Sequence, residues 1–112
     1  MIYLASPYSH FDATVRQARF EAACRAAAAL IRRGHVVFSP IAHSHSIAQH
    51  GLPQDWGFWA QQDRRILTAC DELWVLMLDG WEHSRGIQAE IALALALGLP
   101  IRFVREEDCT EA

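Results

Sequence analysis

Two carboxylates stand where helical patterns call for apolar side chains. Glu90 shares a stripe with Ile87, Ile91 and Ala94. Asp63 lies four residues after Trp59 and just before Ile66 and Leu67. A carboxylate aimed at a core is costly unless it is hydrogen-bonded or used. For Glu90 the plainer reading is a half-exposed place near a helix start, where the dipole favours negative charge. Two carboxyls in different surroundings suit cleavage of a glycosidic bond. One attacks or stabilises an oxocarbenium-like anomeric carbon, and the other handles the proton of the leaving group. Tyr3, on the first strand, can hold the attacking carboxylate through its hydroxyl. Equally it can be a core aromatic with its hydroxyl satisfied elsewhere.

Ser84-Arg85-Gly86 opens the helix that carries Glu90. Backbone N–H groups at a helix start, with a hydroxyl and a glycine, form an anion site, although a serine there also serves as an ordinary N-cap. His43, His45 and His50 lie close together in sequence. No cysteine or evident fourth ligand accompanies them, so the expectation is no metal, and hydrogen bonding around a ligand competes with simple surface exposure. Trp56 and Trp59 read as core rather than as a stacking platform.

The elements that must position these groups alternate. Ile2 to Ala5 is an apolar strand broken at Ser6-Pro7-Tyr8. A helix capped at Asp12 or Thr14 runs to Arg33, with Val15, Ala18, Ala22, Ala26 and Leu30 as its inner stripe and Gly34 as its stop. His35 to Phe38 is a second strand, ended by Ser39-Pro40. Ile41 to Gly51 reads as a loop or loose helix, and Pro53 opens a helix to about Cys70. Leu73 to Leu78 is a buried strand. After the joint at Asp79, a helix runs to Leu97, ended by Gly98 and Pro100. Ile101 to Val104 is the last strand, and residues 105–112 read as a frayed acidic tail. The alternation predicts one domain over residues 1–112 with a three-layer α/β/α fold. Its small parallel sheet takes the flavodoxin-like order 2-1-3-4. That order sets the ends of the first and third strands, Ser6-Pro7-Tyr8 and Asp79 to Glu90, beside one crevice, where such folds bind ligands.

Composition narrows the partners. The 112 residues carry a formal net charge of −3, and all ten basic residues are arginine. There is no basic excess to hold a polynucleotide and no lysine for a Schiff base. No apolar run approaches membrane-spanning length. Three well-separated cysteines, Cys24, Cys70 and Cys109, with no C-x-x-C pair, fit a reducing cytoplasm, and the first two read as small buried apolar residues. A domain this small with four tryptophans is expected to form a homodimer or larger homo-oligomer.

Along nearly its whole length the chain resembles the nucleoside 2-deoxyribosyltransferase superfamily, in particular a small bacterial and phage branch of it. The resemblance is carried by Ile2-Tyr3-Leu4-Ala5-Ser6-Pro7-Tyr8, by Asp63-Arg64-Arg65-Ile66-Leu67 with Cys70-Asp71, and by Asp79-Gly80 through Gly86 to Glu90. It implies that Glu90 attacks C1′ of the sugar, that Tyr3 positions it, and that Asp63 serves the departing base. It further implies that Ser84, with the helix start near Gly86, takes a 5′-phosphate, since a related branch that hydrolyses deoxynucleoside monophosphates carries serine there. Ser39-Pro40-Ile41-Ala42-His43-Ser44-His45 looks like a feature of the small branch. The expected substrate is a nucleotide or nucleoside, with Ser6, Pro7, Tyr8, Ser39, His43, His45, Asp79, Ser84 and Gly86 as binding residues and no cofactor. From another class stands a nucleotide-binding or sensing module that keeps the crevice without the chemistry.

Overall fold

The computed structural model describes residues 1–110. Its order is β1 (Ile2–Ala5), α1 (Ala13–Arg32), β2 (Val37–Phe38), α2 (Pro40–Ala48), α3 (Trp56–Thr68), β3 (Glu72–Leu76), α4 (Arg85–Leu97), β4 (Ile101–Val104) and α5 (Glu106–Thr110). The four strands form one parallel sheet in the order β2-β1-β3-β4. This is the three-layer α/β arrangement the alternation predicts.

Strand alternation sorts the core into two halves. Ile2 and Leu4 of β1, with Trp74 and Leu76 of β3, point to the layer of α1 and α5. There they meet Ala26, Ala27, Leu30, Val104 and Cys109. Tyr3 and Ala5, with Leu73 and Val75, point to the layer of α3 and α4, where they meet Leu67, Cys70, Ile87 and Ala94. Alanines on α1 let that long helix approach the sheet closely.

Local chemistry sets the helix starts. Asp12 accepts from the Thr14 amide at 2.9 Å, Asp55 from Phe58 at 3.1 Å and Ser84 from Ile87 at 3.2 Å. Ser39 accepts from the Ala42 amide at 3.1 Å, with Pro40 as the first helical residue. That cap and proline make Pro40–Ala48 a full helix, not the loop or loose helix expected from Ile41 onward. Likewise α3 begins at Trp56 behind the Asp55 cap, not at Pro53.

Three further expectations are corrected. Residues 106–110 of the expected frayed tail form α5, which buries Cys109, pairs Glu106 with Arg25 at 2.9 Å and gives the Asp108 carbonyl to Arg33 at 3.1 Å; residues 111 and 112 lie outside the described residues. Ala18 is exposed, and the buried stripe of α1 begins at Ala22. Cys24 is half-exposed rather than buried.

Candidate active site

Past the carboxyl ends of β1 and β3 the chain leaves a cavity of about 570 Å³. Each wall comes from a different connection. The loop after β1 supplies Ser6, Tyr8, Ser9 and His10. Helix α2 supplies Ile41, Ser44, His45 and Ala48, and α3 supplies Trp56, Trp59 and Asp63. The joint after β3 brings Gly80, His83, Ser84, Arg85, Gly86 and Glu90.

At the floor, the Tyr3 hydroxyl donates to Glu90 Oε2. Tyr3 is fully enclosed, and Glu90 is 4% exposed. Period-two alternation turns Tyr3 toward α4, and helical spacing from Ile87 turns Glu90 toward the sheet, so the two meet. Asp63 is 5% exposed, and its Oδ1 has no hydrogen-bond partner among the described residues. Burial raises Asp63 to about 6. Burial raises Glu90 to about 8, opposed by the Tyr3 hydrogen bond and reinforced by the charge of Asp63. Burial, then the two acidic neighbours, keep Tyr3 protonated far above its ordinary value. Between pH 6 and 8 the two carboxyls together therefore hold about one proton. In the free site these values favour that proton on Glu90, whereas double displacement requires it on Asp63 with the charge on Glu90, the other arrangement of the same one-proton pair.

Two more buried polar atoms, Ser6 Oγ and Ser44 Oγ, belong to residues lining the same space and have no partner among the described residues. An unsatisfied buried polar atom costs about 1–3 kcal/mol. Three such atoms in one cavity are hydrogen-bonding capacity held ready for a ligand.

The rim is cationic. Arg19 reaches from α1 and donates to the Ser9 and Asp79 carbonyls, each at 3.1 Å. It passes over Gly80, whose φ is +88° and where a Cβ would stand 2.7 Å from the guanidinium, so only glycine fits. Among the described residues, neither Arg19 nor Arg85 has a carboxylate within ion-pair distance. The Ser84 hydroxyl caps α4, while the Arg85 and Gly86 amides find no acceptor among the described residues. Gly86 also lets the Trp56 ring approach, since a Cβ there would meet it at 3.3 Å. Trp59 is buried and bonds the Pro53 carbonyl at 2.8 Å; Trp56 is half-buried, and both line the cavity without filling it.

Thus Ser6, Tyr8, His45, Asp63, Ser84, Gly86 and Glu90 share one cavity, with Tyr3 directly behind Glu90. Four expected binding residues do not line it. Pro7 is buried beneath the β1 loop, and Ser39 spends its hydroxyl on the α2 cap. His43 is exposed on the far side of α2 against Phe38, and Asp79 offers its carbonyl to Arg19 while its side chain is exposed. Among the described residues no three His, Cys, Asp or Glu side chains converge to hold a metal. No helix among them is long and apolar enough to cross a membrane.

Sequence reasoning passed over His10, Arg19, Ser44 and His83, and it took Trp56, which is half-buried and lines the cavity, as core. Ser44 had a signal: Ile41, Ser44, His45 and Ala48 share helical spacing and would have shown an inward stripe once α2 was taken as a helix. Arg19 had none, because its target is the backbone of a loop sixty residues away.

The fold and site define a small parallel α/β domain with a carboxyl pair at the bottom of a cation-rimmed cavity. Residues 1–106 match the family described as a domain of unknown function, DUF1937, and the chain belongs to that family. Comparison with curated proteins found no match.

Proposed function

We propose that this protein breaks, or transfers across, the N-glycosidic bond of a nucleoside or deoxynucleoside 5′-monophosphate. The observation that carries the reading is the buried Tyr3–Glu90 bond beside Asp63 in an open cavity. A Glu90 carboxylate oxygen attacks C1′. The C1′–N bond breaks, its electron pair passes to the base nitrogen, and Asp63 delivers a proton to the base. The glycosyl–Glu90 ester then yields to water deprotonated by Asp63, or to a second base, with net retention. Tyr3 shares the charge of the departing Glu90 carboxylate and fixes the oxygen that attacks. Neither step calls for a metal or cofactor.

Amides at the start of α4 without an acceptor among the described residues, beside Arg19 and Arg85, which have no carboxylate partner there, support a phosphate on the substrate. Tryptophans on the α3 side suit a planar base. The same reading carries a cytoplasmic setting, which three free cysteines fit. It also carries a homodimer or larger homo-oligomer, for which exposed Phe58, Leu95 and Leu97 on the α3/α4 layer offer apolar surface.

The test is a panel of ribo- and deoxyribonucleoside monophosphates with the matching nucleosides, followed by chromatography for free base. Release from monophosphates, abolished in Glu90→Ala, is the expected result. Binding of a nucleotide without release would make the domain a sensing module, and equal release by Glu90→Ala would refute the mechanism.

A further inference from the structure

A chain of hydrogen bonds leads from the protein surface to Tyr8 in the cavity lining. Gln17 Nε2 donates to Glu21 Oε1 at 3.1 Å. Its other amide atom, Oε1, therefore faces His45 Nε2 at 3.0 Å and can only accept. That places the imidazole proton on Nε2 and leaves Nδ1 as an acceptor. Nδ1 lies 2.6 Å from the Tyr8 hydroxyl, so Tyr8 donates to it. Phe20 stacks on His45 with ring centroids 4.1 Å apart and holds the ring in this plane. Burial, then the charge of Arg16, lower the His45 pKa, which keeps the ring neutral. The direction of every bond in the chain is set by an acceptor-only carboxylate at the surface.

The consequence falls on Tyr8, which lines the cavity. Its proton is committed to His45, so toward the ligand its oxygen offers lone pairs alone. Ser6 and Ser44 differ, since their unpartnered hydroxyls turn either way. The Arg16 guanidinium stands beside this oxygen of Tyr8 and engages one lone pair, and the other is left to accept from a ligand hydroxyl. The aromatic rings and Asp63 occupy the α3 wall and the free amides the α4 wall, so the wall of Tyr8 is left for the sugar.

We propose that Tyr8 accepts a hydrogen bond from a sugar hydroxyl of the ligand, with His45 and Gln17 as positioning residues that fix its polarity. The proposal rests on the nucleotide reading above and adds a determinant of sugar specificity to it. A nucleotide lacking the hydroxyl would leave the Tyr8 oxygen unsatisfied and bind more weakly.

Titration calorimetry on Glu90→Gln protein, where nothing turns over, would compare the four common 2′-deoxynucleoside 5′-monophosphates with their 2′,3′-dideoxy counterparts. The 3′-hydroxyl is expected to contribute about 5-fold in affinity. Adding Tyr8→Phe should bring both ligands to the weaker value, as a double-mutant cycle requires. Nitrogen NMR of His45 should show the proton on Nε2, and Gln17→Leu should mix the tautomers and erode the discrimination without touching the ligand. A proton on Nδ1, or a hydroxyl preference that persists in Tyr8→Phe while nucleotides still bind, overturns the role of Tyr8 and leaves the proposed function standing. Absence of any nucleotide binding overturns both.

Discussion

The two faces of the sheet are covered by helices in the same way, yet their interiors differ in kind. Beneath α1 and α5 the packing is apolar throughout, from Ile2 and Leu4 to Leu30, Trp74 and Cys109. Beneath α3 and α4 an apolar cluster of similar make-up gives way, at the carboxyl end of the strands, to Tyr3, Asp63 and Glu90. The first face gains from every group it removes from water. The second carries two carboxyls that burial holds partly protonated, an arrangement that costs stability and supplies reactivity. The lesson is that one β-strand serves both ends: successive residues of β1 go alternately to the stabilising half and to the chemical half.

Substitutions on the two faces should therefore fail in opposite ways. The largest effect is expected for Glu90→Ala, which should lower base release on the order of 10⁴-fold while the protein remains folded by circular dichroism. Retained activity would erase the distinction between the faces. Leu30→Ala, on the apolar side, should cost about 3–4 kcal/mol in urea unfolding and leave the turnover of the folded fraction unchanged.

Replacing Glu90 by glutamine sharpens the contrast further. Folding raises this carboxyl from its ordinary 4.5 to about 8. Between those values the folded state holds a proton that the unfolded chain has lost, so its stability falls as pH climbs through that window. Glu90→Gln should flatten the slope and, at pH 8, stabilise the fold by on the order of 4 kcal/mol. A destabilised glutamine variant would mean that the carboxylate serves structure after all. Turnover should follow a bell set by the pair, rising near pH 6 as its first proton leaves and falling near pH 8 as its last one does, the reacting form being the one with the remaining proton on Asp63 and the charge on Glu90. The smallest effect is expected at His43, on the exposed side of α2. His43→Ala should change neither stability nor turnover by more than a few tenths of a kcal/mol.

Much of this division is legible in the sequence, and the reason is periodicity. Period-two alternation places Tyr3, and helical spacing places Asp63 and Glu90, on inward faces. The strand order follows from a short β1, its proline break and alternating helices. What spacing does not carry is the far end of a tertiary bond. The exposed or inward side of α2 was lost because Ser39-Pro40 reads as a strand stop and serves also as a helix cap. With α2 taken as a loop, His43 and His45 read alike, whereas on a helix two residues turn about 200° and set one toward solvent and the other toward the cavity. Asp79 looks like a ligand by its place after β3, yet its carbonyl, not its carboxylate, is what the fold employs. The helical tail escaped notice because its only apolar anchor is Cys109.

Arg19 joins two loops that no other side chain among the described residues ties together by a hydrogen bond, one prong on each carbonyl. The aperture of the cavity is thus governed at its rim, by a residue of α1 that bonds neither carboxyl at the floor. A lysine at that position has one point of charge in place of a fork and would couple the loops less tightly. Natural variation at position 19 would widen or narrow the entrance while the reacting groups stayed as they are, giving substrate range and catalytic chemistry separate routes of inheritance.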